Sequence, residues 1–171
     1  MAFKTSPVPS RIIGLDLSTN SIAFSLFVDG KLTNHGELIM TGTAFQRNIQ
    51  GNRYGAWLRE EFKPDMIAYE SAVFIQNKKT VILLAYAFGA VLASMGQHNT
   101  MVRALTPIEW QNYIGNKALT KDEKSLIKAE NPDKSANWYK NAEREFRKQR
   151  TMKWANDKYG LSITSDNISD A

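Results

Sequence analysis

From Ile12 to Val28 the chain alternates apolar and small or polar residues with a period of two. Ile12 and Ile13 lead into Gly14-Leu15-Asp16-Leu17, a turn-prone Ser18-Thr19-Asn20-Ser21 run follows, and Ile22, Phe24, Leu26 and Val28 then alternate as far as Asp29-Gly30. The pattern predicts a strand, a tight turn and an antiparallel return strand, with Asp-Gly turning the chain once more. Lys31 to Met40 predicts a third strand, which makes the opening a meander. The period then changes. Phe45, Ile49, Tyr54, Trp57, Leu58 and Phe62 recur at roughly helical spacing, so 43–62 is expected to be a helix that Gly51 and Gly55 weaken in the middle.

Lys63-Pro64-Asp65 ends that helix, and Met66 to Glu70 is a short, mostly apolar strand with an acid at its end. After a loop from Phe74 to Lys79, Thr80 to Met95 predicts an apolar helix with Leu83, Leu84, Ala87, Phe88, Val91 and Leu92 toward the core. Thr100 to Leu105 is a fifth strand. A helix starts at Thr106-Pro107-Ile108-Glu109, with Thr106 as N-cap, Pro107 in the first helical position and Glu109 completing a capping box. It carries Trp110, Tyr113 and Ile114 and stops at Gly115. Asn131-Pro132-Asp133 breaks the polar stretch beyond, and Ser135 to Tyr159 predicts one long helix stopped by Gly160. The order implies an α/β fold whose mixed sheet has three antiparallel strands and then two parallel ones, flanked by helices.

Composition narrows this picture. A chain of 171 residues, 43% hydrophobic, can bury one proper core, so a single domain over 1–171 is expected, with residues 1–10 as a loose arm. The net charge of +5 is uneven: residues 117–158 hold 12 of the 22 basic side chains and 7 of the 17 acidic ones, leaving 10 of each elsewhere. A basic helical segment at about 117–159 therefore carries the whole surplus. It is either a phosphate-facing surface or a solvated helix face laced with Glu143 and Glu145. The most apolar run, 81–95, is shorter than a charge-free membrane span, so no membrane association is expected. With no cysteine and no signal-peptide core, the expected setting is reducing and intracellular: cytoplasmic, mitochondrial or within an infected host cell, and not secreted.

Three acidic stations stand out. Asp16 sits inside a strand, where Asp is depleted and costly to bury without a partner. It is either a turn Asp bonded to the Ser/Thr backbone after it or a metal carboxylate. Glu70 ends a strand. Asp166 and Asp170 are four apart, so both fall on one face of a helix start, where acids are also favoured by the macrodipole alone. His35 and His98 stand apart and read as surface or structural residues.

Taken in order, the stations resemble the RuvC family of Holliday-junction resolvases, within the ribonuclease H-like superfamily. Ile13-Gly14-Leu15-Asp16-Leu17-Ser18 is similar to the family's first-strand motif. Asp65 to Glu70, followed by Phe74 and by Ala85-Tyr86-Ala87-Phe88-Gly89, resembles the second motif and its buried helix. Leu105 to Glu109 with Tyr113-Ile114-Gly115 resembles the third station, Asp122-Glu123-Lys124-Ser125 a Glu-Lys-Ser piece, and Asp170-Ala171 the last. The spacing of Asp166 to Asp170, with Asn167 where the family usually has its additional acid or His, looks more like the mitochondrial resolvases of yeasts.

The resemblance implies a structure-selective DNA endonuclease cutting four-way junctions, with Asp16, Glu70, Asp166 and Asp170 as catalytic metal ligands. Phosphodiester hydrolysis by two metals about 3.5–4 Å apart requires such converging carboxylates, and an oxygen-only set suits Mg²⁺, with Mn²⁺ as a substitute. Lys124, then Lys117 and Lys121, are the expected phosphate contacts. Phe74 either stacks on an unpaired base or belongs to the core. Paired cuts imply a homodimer, for which Ile82, Tyr86, Phe88 and Ala90 are candidate contacts, unless the long helix 135–159 covers that surface instead. Two other classes remain: a broader debranching nuclease, and a non-catalytic nucleic-acid-binding module on the same fold. The sugar-kinase and chaperone ATPase superfamily shares the opening motif, but it needs a second such domain and a second phosphate loop.

Overall fold

A computed structural model describes residues 8–71, 77–96 and 99–171. The chain forms two compact units, Met1–Thr106 with Ala171, and Pro107–Asp170. In the first unit, β1 (Arg11–Leu17), β2 (Ser21–Val28) and β3 (Lys31–Ile39) form the expected meander, followed by α1 (Ala44–Phe62), β4 (Met66–Glu70), α2 (Lys78–Met95) and β5 (Met101–Leu105). The strands lie in the order β3-β2-β1-β4-β5, with β4 parallel to β1 and β5 parallel to β4. This is the mixed sheet expected from the sequence.

Local chemistry explains the turns. The Ser18 hydroxyl accepts from the backbone N–H of Ser21 at 2.9 Å and of Asn20 at 3.2 Å, closing β1 onto β2 directly beyond Asp16. Asp29 and Gly30 both take positive φ, 50° and 76°, the conformation that an Asp-Gly hairpin turn demands. Thr43 and Gln46 form a capping box at the start of α1, and Lys63 ends that helix in the left-handed region just before Pro64.

Sheet alternation separates two faces. Ile13, Leu15, Leu17, Ile22, Phe24, Leu26 and Ile67 join Leu58 and Phe62 of α1 and Val91 and Met95 of α2 in one buried cluster. The other face carries Gly14, Asp16, Ala23, Ser25, Ala68 and Glu70 through the register pairs of β1 with β2 and β4. The core thus uses one face and leaves the acids on the other.

Two expectations change. Gly51 and Gly55 do not weaken α1, which runs unbroken; they let it press on α2. A Cβ at Gly55 would stand 2.2 Å from Ser94 Oγ and 2.7 Å from the Val91 carbonyl oxygen. Arg59 also reaches across to the Ser94 carbonyl at 2.8 Å. The second change concerns the start of α2, where the Asn77 side chain accepts from the N–H groups of Lys79 and Thr80, so that Lys78 and Lys79 join the helix. The resulting 18 residues are long and apolar enough, by length and composition alone, to cross a membrane, which the shorter run read from sequence was not. Ala87, Val91 and Met95 of this helix are nevertheless buried within the sheet unit. Phe88 lies on the core side too, edge-on to Tyr69 with ring centroids 5.8 Å apart, whereas Ile82 and Tyr86 are exposed.

The second unit contains α3 (Pro107–Tyr113), α4 (Lys121–Glu130), α5 (Ala136–Tyr159) and the short α6 (Asp166–Asp170). Pro107 opens α3, Thr120 and Glu123 form a capping box on α4, Ser135 caps α5, and Gly160 stops it at φ 66°. Two ion pairs of opposite polarity join α4 to α5: Glu123 with Arg150, and Lys124 with Glu143. Asn116, buried, donates to Thr151 Oγ1 and to the Arg147 carbonyl, both at 2.9 Å, and so ties the loop before α4 to α5.

Candidate active site

The last registered pair between β1 and β4 is Leu15 with Tyr69, so one step further along these parallel strands Asp16 comes beside Glu70. Adjacent strands lie about 4.8 Å apart and cross-strand neighbours project from the same side. Both acids are partly buried on the face opposite the core. Two carboxylates held side by side repel each other, and a shared cation relieves that repulsion. The residues nearest them on this face, Gly14, Ala23, Ser25 and Ala68, are all small. A pair of oxygen donors fits a hard divalent cation, which keeps part of its hydration shell.

Gly14 is required by a close approach. A Cβ there would fall 1.9 Å from the carbonyl oxygen of Ala171 and 2.8 Å from Ser25 Oγ. The Ser25 hydroxyl, in register with Gly14 across β2, donates to that same carbonyl at 2.6 Å. Ala171 directly follows Asp170 in sequence, and it is tied to the face that bears Asp16. Neither Gly14 nor Ser25 was singled out from the sequence; the Gly before the strand acid was the available signal.

Asp166 and Asp170 open and close α6 in the helical unit. The Asp166 carboxylate is ion-paired with the Lys148 ammonium of α5. That hydrogen bond, with the Lys148 charge and nearby backbone N–H groups, holds the Asp166 carboxyl below the usual carboxylate range against the opposing effect of burial. Lys148 carried no distinguishing pattern in the sequence, because its partner lies 18 residues further on. Among the described residues, no group of three or more His, Asp or Glu side chains is gathered as a metal site. The structure thus brings Asp16 and Glu70 together by register, and it holds Asp166 and Asp170 on one short helix.

The expected DNA contacts divide. Lys117 and Lys121 are exposed. Lys124, the first choice, has its ammonium 2.7 Å from Glu143, which neutralises much of its charge toward a phosphate. Phe74 lies outside the described residues, as does His98.

This mixed five-stranded sheet flanked by helices is the α/β fold of solved RuvC structures. Solved structures agree. The RuvC of Thermus thermophilus superposes with a TM-score of 0.64 at 16% identity, covering 94% of this chain and 88% of that one. The same protein bound to a Holliday junction gives 0.56 at 16% identity over 61% and 69%. The yeast mitochondrial Holliday junction resolvase Ydc2 gives 0.50 at 16% over 76% and 72%. No family model matches the chain. Among curated proteins, the crossover junction endodeoxyribonuclease RuvC of Fusobacterium nucleatum is 27% identical over 124 residues, which is 68% of this chain and 64% of that protein. The chain therefore spans just under two thirds of the length of that relative. The resemblance to RuvC resolvases read from the motifs is present in both sequence and fold.

Proposed function

We propose that this protein is a divalent-cation-dependent, structure-selective DNA endonuclease acting on four-way junctions. The observation that carries the reading is the register of β1 and β4, which sets Asp16 beside Glu70 on the small-residue face of a RuvC-type sheet. The resolvase names of the relatives support the substrate class.

Asp16 and Glu70 would hold the metal, with Asp170 and Asp166 completing the set. When bound, a pair of Mg²⁺ ions supplies an activated water and charge stabilisation at the leaving oxygen. The chain's own contribution is placement. Strand hydrogen bonds fix the backbone of both sheet acids, Gly14 leaves room for the chain beside Asp16, and Lys148 keeps Asp166 ionised. Lys117 and Lys121 hold the DNA backbone without reading its sequence. Both units act as one nuclease domain inside the cell, and two copies associate through the exposed side chains of α2 to place two cuts across one junction.

The test is nicking of four-way against linear DNA with and without Mg²⁺. Junction-selective, metal-dependent cutting that disappears in Asp16→Asn while junction binding persists is the expected result. Equal cutting of forks and flaps would support the debranching alternative, and binding with no cutting at any metal concentration would support the non-catalytic one.

A further inference from the structure

Two kinds of arrangement occur among the cations of the basic segment. Lys124, Lys148 and Arg150 are each paired with a carboxylate of another helix in this unit, and Lys153 with Asp157 one turn further along α5. Lys128 and Lys134 are arranged differently. They flank the α4–α5 connection, and each ammonium lies over an aromatic ring: Lys128 Nζ is 5.9 Å from the centroid of Tyr139 and Lys134 Nζ 5.9 Å from that of Trp138. The two rings meet edge to face with centroids 5.5 Å apart. A ring places an ammonium without neutralising it, in contrast to a carboxylate.

The tip that carries this cluster is built firmly. The Tyr139 hydroxyl donates to the Asn131 carbonyl at 2.6 Å, and Asn131 Nδ2 donates back to the Ile127 carbonyl at 3.1 Å. Pro132 follows, Asp133 takes a left-handed conformation with φ 61°, and Ser135 caps α5. Trp138 keeps 36% of its surface exposed, and both lysines are exposed. Glu130, the last residue of α4, and Asp133 in the connection oppose an anionic partner; the lysines are the members held over rings.

We propose that this tip, Lys128, Lys134 and Trp138 with Tyr139 behind them, is a second nucleic-acid contact, gripping the DNA backbone at the end of α4 opposite Lys121. The inference rests on the nuclease reading for its partner. At about 1.5 Å per residue, the rise along α4 from Lys121 to Lys128 separates the two basic stations by about 10 Å. That span passes several phosphates of one strand at about 3.4 Å axial spacing. The grip contributes affinity independent of sequence, and Trp138 keeps Lys134 in place and offers its free edge to the sugars.

The experiment uses the full chain carrying Asp16→Asn, so that junction DNA is bound without being cut, and measures affinity by fluorescence anisotropy from low to moderate salt. Adding Lys128→Gln with Lys134→Gln is expected to lower the slope of log affinity against log salt by about 2, the loss of two phosphate contacts. Lys128→Arg with Lys134→Arg keeps the slope, and Trp138→Ala weakens binding more than Trp138→Phe. An unchanged slope in the Gln pair, with the parent still binding junctions, overturns this inference and leaves the nuclease reading standing. A parent that binds no DNA at all overturns both.

Discussion

Gly14 and Ala171 approach so closely that a single methyl group on the first would overlap the carbonyl oxygen of the second, at 1.9 Å. Gly14→Ala must therefore either displace Ala171 or push β1 away from it. Overpacking of this kind costs about 1–3 kcal/mol. Because Gly14 lies two residues before Asp16 on the same face of β1, cleavage is expected to fall at least about tenfold, which corresponds to about 1.4 kcal/mol in the activation barrier. Ser25→Ala removes only a hydrogen bond and should have a smaller effect of the same kind. Junction-cleavage rates beside thermal unfolding of both variants check this; wild-type rates in Gly14→Ala would show that the packing of β1 at Gly14 does not set the position of Asp16.

Gly55→Ala should destabilise the fold more than Gly51→Ala. At Gly55 the new Cβ would meet the Val91 backbone oxygen at 2.7 Å, and backbone cannot rotate away. At Gly51 it would meet only the ends of the Met40 and Val91 side chains, at 3.2 Å. Helix propensity alone favours Ala over Gly by about 1 kcal/mol, so a net gain at position 51 and a net loss of about 1–2 kcal/mol at position 55 are expected. Urea denaturation of the two variants separates these outcomes. Equal effects would mean that α1 and α2 can part without cost.

These two glycines also mark where the sequence stopped being legible. The strands could be read because alternation reports directly which face is buried, and the Asp-Gly turn and the helix caps are local chemistry. Gly51 and Gly55 read as helix-weakening because propensity is local, whereas their use depends on a second helix 40 residues away in the chain. The same limit applies to the site. Asp16 and Glu70 were visible as acids out of place in apolar strands, and the parallel order then set them side by side. Lys124 reads as a phosphate contact, and its pairing with Glu143 is a long-range contact that the basic pattern does not specify; nothing in the neighbourhood of Lys148 marks Asp166 as its partner.

Asp65 supplies a pH dependence unrelated to the site. One carboxylate oxygen accepts from the backbone N–H of Arg11 at 2.9 Å, the Ser10 hydroxyl at 3.0 Å and the Ser10 backbone N–H at 3.1 Å. The Arg11 N–H, then the Ser10 hydroxyl, hold its carboxyl below the usual carboxylate value of 3.8. A depressed folded-state value contributes stability that is fully present above the unfolded value and is lost as pH falls through the folded one. The gap in stability between wild type and Asp65→Ala should therefore be constant from neutral pH to about pH 5 and narrow below about pH 4. Because the carboxylate is exposed, the gap itself should be no more than about 1 kcal/mol. A gap that persists at pH 2 would mean that Asp65 acts by packing alone.

The last expectation concerns assembly. On α2, Val81 is 41% exposed, Ile82 52% and Tyr86 60%, although the helix as a whole is the most apolar in the chain. Large apolar side chains grouped on one helix cost little singly, but a contiguous patch marks an interaction surface. A two-fold pairing of this face would bury the same residues from both copies, and two copies are what paired cutting of a four-way junction requires. Phe88, once a candidate for this contact, is engaged with Tyr69, so Ile82 and Tyr86 are the positions to alter. Sedimentation at micromolar concentration should give a dimer for the natural sequence and a monomer for Ile82→Glu with Tyr86→Lys. Both side chains are exposed and outside the core, so the altered chain should still unfold cooperatively, at a temperature lowered only by the loss of the dimer contact. It should nick junctions singly, without the second, symmetric cut. A natural protein that sediments as a monomer both free and on junction DNA would remove the paired-cut reading and leave a single-nick debranching enzyme in its place.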